Sequence, residues 1–525
     1  MDLPVGAVGE HGACNKACSE NATHRMVASK VLTSQNGALV HHVHFPESEK
    51  LYNLRAERPP GKGREGAERT TDAVQTTAPT TVPVATTTTV ESRGGDFDPF
   101  ALRDIKHPTN EVDSLIHLMK GSMGSGILGM PKAVQNGGLW FSLAITPIVG
   151  FICTYCVHML VISAHELYYR ERVPQLDFSE VAELGFKTGP KRTRFLSKIA
   201  KHSVNWLMSL NLLGTCCIYL VFIASNMKQV MEHHDYAVHD LRVYIVCTLP
   251  FVLLFIVVRD LKYLSPTSML ANALIMVGMI ICFYYMLRDV PSPSKRHAVG
   301  HYSTVPLYFS TVIFALEGIG VVMPLENNMK NPRRFPGCPG VLGFGFTVTA
   351  VLYTTVGFCG YLKYGDDTKD AITLNLPVEE GLAQSVKIMM SIAIFFTYFL
   401  QFYVPFEIIM KAVERNWGEQ SVRNETLLRM FLGTLTVVIA VAVPTLEVFM
   451  SLIGALCLAS LGLILPPAIE MVVFWDKEGG RGRGNWKVYK NIAIISFGVC
   501  ALILGTTTSL INLVNFYAST DQLRS

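Results

Sequence analysis

Two apolar segments of this chain are interrupted at matching places, and that constrains the fold more than any other feature. The first runs Ser114-Leu-Ile-His-Leu-Met-Lys-Gly-Ser-Met-Gly-Ser-Gly-Ile-Leu-Gly-Met-Pro131, the second Val312-Ile-Phe-Ala-Leu-Glu-Gly-Ile-Gly-Val-Val-Met-Pro324. Each holds a Gly-x-Gly followed by an apolar stretch and Met-Pro, with an ionisable residue nearby, His117 or Glu317. Four hydrophobic segments lie between them, so they open two halves of five. Inside a bilayer every backbone N–H and C=O needs a partner, so an unwound stretch survives only where it lines a cavity or holds a ligand. Glycine makes unwinding easy and proline removes a donor. Half-helix N-termini then attract a carboxylate, and bare carbonyls attract an ammonium. A zwitterion fits both ends, which points to an amino acid at the midplane of an inverted-repeat secondary transporter. Close contact between helices is the other reading of such glycines.

Composition agrees with a polytopic membrane protein. The 525 residues are 50% hydrophobic and 16% charged, outside the usual range of soluble domains. Eleven apolar stretches are long enough to span, near 114–136, 139–166, 203–230, 241–258, 264–287, 303–328, 340–362, 383–411, 427–443, 446–473 and 489–515. A net charge of +4 is too small to argue for nucleic acid. Lys/Arg-rich loops at 167–202, 325–339 and 474–490 place the N-terminus in the cytosol and the chain end outside or in a lumen. The hydrophilic first hundred residues exclude a cleavable signal peptide. Nine of the twelve cysteines fall within spans, so no structural disulfide is expected. The sequons at Asn21 and Asn424 fall on the cytosolic side.

Three regions follow. Residues 1–105, with the Thr-rich run Thr70 to Thr89, lack the apolar content to fold and read as a disordered cytosolic tail. Residues 106–516 form the transmembrane domain, and 517–525 a short exofacial or lumenal tail. Phe178 to Phe186 is a short amphipathic helix along the cytosolic face.

At Leu115-Ile-His-Leu-Met-Lys-Gly-Ser-Met-Gly-Ser-Gly-Ile-Leu-Gly-Met-Pro131 the chain resembles the proton-coupled amino-acid transporters of the amino acid/auxin permease superfamily. The likeness continues at Phe314 to Pro332, Ile372-Thr-Leu-Asn-Leu-Pro377 and Phe395 to Pro405, and covers nearly everything from about residue 106. It implies an all-α membrane fold of eleven helices, five plus five inverted with broken helices 1 and 6, plus one extra. It also implies symport of small neutral amino acids with protons, and a part for His117 in proton coupling.

His117, Gly121 and Gly124 stand at i, i+4 and i+7 and share a helix face that should look on the substrate cavity. Lys120 is one turn from His117, and histidine titrates where a proton gradient acts. A histidine bonded between helices explains the residue equally well on sequence alone. Gly121, Ser122, Gly124, Ser125 and Gly126 in the first break, and Phe314, Glu317, Gly318 and Gly320 in the second, are the candidate substrate-binding residues. Glu317 is a carboxylate at membrane depth, costly and therefore functional, as proton carrier, ammonium ligand or, preferred here, acceptor for the unwound backbone. Thr397, Tyr398 and Gln401 offer auxiliary polar groups, Thr397 and Gln401 at i, i+4 in place of a sodium site. Glu326, Asn327 and Asn328 read as a cytosolic gate, and Glu407 and Asn272 as structural. No nucleophile–base set or metal spacing argues for an enzyme, and no cofactor is expected. Sodium coupling on the same fold, and an amino-acid sensor with cytosolic signalling partners and little net transport, are the rival functions. Both plasma membrane and lysosomal or endosomal membrane fit.

Overall fold

The computed structural model of the protein describes residues 97–105, 108–122, 124–235, 240–257, 261–316, 318–337 and 340–524. The expected disordered stretch before residue 97, together with Met123 and Glu317, lies outside them. The described residues form helices, with one isolated parallel bridge between Thr109 and Met329.

The first apolar segment is two helices, α1 (Glu111–Ser122) and α2 (Gly126–Gly137). Glu111 and Asp113 sit in the first turn of α1, where acidic side chains oppose the helix dipole. Gly138 ends α2 at φ +88°, a left-handed conformation that favours glycine. Then follow α3 (Leu139–Glu171), α4 (Phe178–Thr188), α5 (Ser197–His233), α6 (Leu241–Cys247), α7 (Leu249–Ile256) and α8 (Leu261–Leu287). The second interrupted segment is α9 (Val305–Ala315) and α10 (Ile319–Asn327). The chain continues through α11 (Val341–Tyr364), α12 (Gly381–Trp417), α13 (Val422–Ala442), α14 (Leu446–Ile453), a π-helical stretch Gly454–Ile464, α15 (Leu465–Val473) and α16 (Trp486–Arg524). Helix α16 runs past residue 516, so the boundary drawn there from sequence falls inside a helix.

Among the described residues, nine helices are long and apolar enough to cross a membrane. The two halves α1 and α2, at 12 residues each, and the stretch Leu241–Ile256 fall short of that length. Large apolar side chains such as Phe151, Trp206, Leu254, Ile280, Val351 and Val514 point outward and are exposed, as lipid-facing positions require.

Two helix groups pack together. In one, α12 lies along α5 and α8, with α13 on α5 and α7; in the other, α2 is held by α9 and α11, and α3 by α11 and α15. We call the end that carries residues 97–110 the proximal face and the opposite end the distal face. At the proximal face, residues 97–105, which composition assigns to the tail, lie against α3 and α10. The Arg103 side chain, 2% exposed, donates to Pro174 O (2.7 Å), to Glu326 O (3.0 Å) and to the Glu326 carboxylate (3.1 and 3.3 Å). The fully buried Glu326 also meets His165 Nε2 at 2.8 Å and accepts from the Tyr168 hydroxyl at 3.0 Å. Thr109 N–H donates to Asn328 O and Lys330 N–H to Thr109 O, which ties the start of α1 to the end of α10. At the distal face, Gly300 N–H donates to Gly137 O (2.7 Å) and Gln135 Nε2 to Asp366 O (2.9 Å).

Helix α4 starts with a capping box: the Asp177 carboxylate accepts the Glu180 N–H, and Asp177 N–H donates to Glu180 Oε2 at 3.0 Å. Burial first, and then the neighbouring Glu180, pushes the Asp177 carboxyl up to about 7, against Lys411 and Lys201. A folded-state value above the unfolded one, about 3.9, means the ionised form costs stability above pH 7. That cost disappears as pH falls through 7 toward 4. Asp177→Asn, which still caps, should make the purified protein more heat-resistant than the parent at about pH 8 and no different at about pH 4. Equal melting profiles at both pH values would refute this.

Candidate functional site

The two interruptions lie against each other. A Cβ placed on Gly126 would come within 2.7 Å of the Ala315 Cα, and one on Gly318 within 2.9 Å of the Ser122 Oγ. Gly121 likewise faces the Val321 side chain at 3.1 Å. Helix α2 starts where α9 ends, and only a residue without a side chain permits that approach at Gly126.

Partners for the unwound backbone come from outside the broken helices. The Tyr353 hydroxyl, on α11, donates to Ser122 O at 2.6 Å and lies against the Gly124 N–H. Tyr219, on α5, places its hydroxyl 3.7 Å from the Cβ position of Gly124 and within hydrogen-bonding reach of Gln401 on α12. Phe346 closes over Gly318 and Met208 over Gly320, where an added Cβ would lie 2.8 Å from the Phe346 ring and 3.3 Å from the Met208 sulfur. Among the described residues, the Ser122 and Ser125 hydroxyls, in residues 5% and 3% exposed, have no hydrogen-bond partner. A buried hydroxyl left unpaired costs about 1–3 kcal/mol. Two of them beside the N-termini of α2 and α10 form a polar recess with unmet hydrogen-bonding capacity and a positive helix-end potential. An anionic group with acceptor oxygens meets both. An apolar void of about 10 Å³ backs the second break between Gly318, Leu316 and the π-helical Gly462.

The sequence-derived candidates divide around this recess. Ser122, Gly124, Ser125, Gly126 and Gly318 come together at its centre, and Gln401 joins through Tyr219. His117 is half-buried on α1, five residues before Ser122 and so about 7.5 Å along the axis toward the proximal face. Gly320 is on the Met208 side, and Phe314 packs its Cβ against Gly454. The Thr397 hydroxyl bonds to its own helix at Ala393 O (2.8 Å), and the Tyr398 hydroxyl bonds to Thr436 on α13 (2.8 Å), away from the breaks. Glu317 lies outside the described residues. Sequence reasoning passed over Tyr219 and Tyr353, whose signal is a phenol in a buried apolar run that needs a partner. It also passed over Lys387, a fully buried ammonium on α12 that donates to Gln229 Oε1 (2.8 Å) and Thr373 O (2.6 Å). A charge at membrane depth was the readable signal there.

Residues 107–511 match the family described as Transmembrane amino acid transporter protein. The chain is similar to the Drosophila melanogaster "Proton-coupled amino acid transporter-like protein pathetic", 44% identical over 430 residues, with 82% of this chain and 91% of that protein covered. It is also similar to the Caenorhabditis elegans "Probable amino acid transporter skat-1", 25% identical, with 80% and 92% covered. Among solved structures, inward-facing Mhp1 overlaps 80% of this chain and 92% of its own with a TM-score of 0.47 at 10% identity. MhsT in complex with L-phenylalanine overlaps 75% and 98% with a TM-score of 0.42 at 11% identity. Overlaps at that level carry no argument about the site.

The close approaches rank the glycines. Gly126→Ala meets backbone at Ala315, which cannot step aside, whereas Gly320→Ala meets only the end of the flexible Met208 side chain. Uptake per molecule at the membrane should fall at least about ten-fold in Gly126→Ala, the effect of some 1.4 kcal/mol of strain, and change little in Gly320→Ala. Tyr353→Phe, which leaves Ser122 O short of a donor, should fall between them. Equal activity in all three variants would show that the breaks tolerate added bulk and lost bonding alike.

Proposed function

The chain belongs to the transmembrane amino acid transporter protein family, of the amino acid/auxin permease superfamily, and from that premise we propose that it is a proton-driven symporter of small neutral amino acids. The observation that carries the reading is the recess where the two breaks meet. The N-termini of α2 and α10 and the free hydroxyls of Ser122 and Ser125 suit a substrate carboxylate. Carbonyls at the ends of α1 and α9 suit its ammonium. The tight cover of Phe346, Tyr353 and Tyr219 favours a small side chain. A relative named proton-coupled at 44% identity supports the choice of ion.

On this reading the proximal face is cytosolic. Eleven spans arise from the nine long helices, the α1/α2 pair and Leu241–Ile256, arranged as five plus five inverted plus one. Glu317, next to Gly318, serves as an acceptor for unwound N–H groups. His117 carries the coupling proton below the first break. Glu326 and Asn327, clasped by Arg103, His165 and Tyr168, form the cytosolic gate. Transport proceeds by alternating access, in which that clasp and the distal contacts open in turn. The topology suits the plasma membrane and the lysosomal or endosomal membrane alike.

Uptake of labelled glycine, alanine and proline into vesicles with imposed gradients tests the proposal. Flux should rise as distal pH falls from about 7.5 to 5.5 and should not need sodium. His117→Ala should flatten that pH response while bound substrate still exchanges, because the helix ends hold the zwitterion. Abolition of flux by sodium removal, with little response to pH, would favour sodium coupling; binding without net flux would favour a sensor.

A further inference from the structure

Glu447 stands second in α14 at the distal face, its side chain 19% exposed. Its Oε1 accepts the Asn136 Nδ2 at 2.7 Å and its Oε2 lies 3.7 Å from the Lys132 ammonium. Asn136 and Lys132 are i, i+4 on α2, the half-helix whose other end begins in the recess at Gly126. The Glu447 N–H donates to Asp370 Oδ2 at 3.3 Å, which brings a second carboxylate to the same place. The Asn136 carbonyl in turn accepts the Thr304 hydroxyl at 2.8 Å, at the entrance to α9. Glu447 and Asn136 between them therefore join α14 to both distal half-helices and to the loop that carries Asp370. The contact is tight, for a Cβ on Gly129 of α2 would lie 2.6 Å from the Met450 Sδ of α14.

The charges in this junction do not balance. The one ammonium, Lys132, pairs with Glu447, and among the described residues no ion pair is formed by Asp370, which stands beside it. The charged groups that act on Glu447 are Lys132 and Asp370. From α16 and α5 the helix meets neutral groups, the Ser509 hydroxyl on Ser451 (2.8 Å) and Gly214 beside Ile453. When the distal mouth parts, both acids gain water. When it closes, one uncompensated negative charge is left at half-buried depth, and a buried charge is costly unless paired. A proton taken up by one carboxyl removes that charge, and the neutral acid still offers Asn136 an acceptor.

We propose that Glu447 is a proton-binding group of the transport cycle, loaded from the distal side, whose protonation favours closure of α2 and α9 onto α14. This rests on the proton-symport reading and adds a second protonation step at the mouth, about three turns from the recess along α2. His117, in the other half of the broken helix, would then be the group reached later.

Thiol labelling tests the step without relying on flux. Thr445→Cys places a thiol beside Glu447 at the cost of no bond, since among the described residues the Thr445 hydroxyl has no partner. Its rate with a membrane-impermeant reagent is compared with and without Glu447→Gln at each pH, so that thiol ionisation cancels in the ratio. At about pH 7.5 the protein that keeps Glu447 should label roughly five-fold faster than the one that also carries Glu447→Gln, the ratio a partly exposed charge interaction supports. At about pH 5.5 the two should converge. Asp370→Asn, which leaves Glu447 paired with Lys132, should slow labelling at the higher pH in the same way. A ratio of one at both pH values in both variants would overturn the proposal. A pH-dependent ratio with uptake that ignores pH would instead sink the symport reading and leave the proton-dependent closure standing.

Discussion

A backbone amide in an apolar surround must find a partner, and this fold leaves two stretches of backbone without a helical one. The structure around them follows from that need. Tyr353 reaches from α11 to the Ser122 carbonyl, and Tyr219 stands over Gly124 from α5. The two breaks also press together, at Gly126 against Ala315 and at Gly318 against Ser122, so each shields the other from lipid. What stays unmet among the described residues, the hydroxyls of Ser122 and Ser125, is a small remainder that a ligand's oxygens can satisfy. The same economy explains the phenols: a tyrosine keeps an apolar body in the helix interface and delivers one polar atom to a fixed place.

The ends of the broken helices are secured differently from their centre. Each face closes on a carboxylate that has little or no water, Glu326 on the proximal side and Glu447 on the distal side. Glu326 is fully enclosed by Arg103, His165 and Tyr168, a pairing that is strong only while every partner is in place, because removal of one partner from a buried pair costs about 3–5 kcal/mol. Glu447 pairs with Lys132 at 3.7 Å, has the Asp370 carboxylate beside its N–H, and is less completely matched. The two ends therefore differ in kind: the proximal carboxylate is enclosed by three partners, one of them from the segment 97–105, and the distal one by a single amide and one ammonium.

Much of this was legible along the chain. The apolar runs mark the long helices, since only a continuous helix satisfies its own amides in lipid, and Gly-Ser-Gly and Gly-Ile-Gly mark where helices end at Ser122 and Ala315. The amphipathic stretch after Phe178 is a helix with its capping box written in Asp177 and Glu180. Other features were not legible. Residues 97–105 have the composition of a tail, yet Phe100 and Arg103 lie among the His165 and Tyr168 rings, because a short segment draws its burial from helices far away in sequence. Tyr398 reads with Thr397 and Gln401 as one of three polar groups on α12, but one step from Thr397 is about 100° of turn, and its hydroxyl reaches Thr436.

The sequence by itself determined the class of the molecule, the positions of its helices and the two places where they break, because solvation of the backbone by lipid is a local, one-dimensional constraint. The tertiary structure alone decided which polar groups answer those breaks, that Ser122 and Gly318 are neighbours, and that Glu447 meets Asn136, Lys132 and Asp370. Hydrogen bonds and charge pairs act over a few ångströms, and residues 311 positions apart, such as Asn136 and Glu447, come within that range only when the whole bundle has closed.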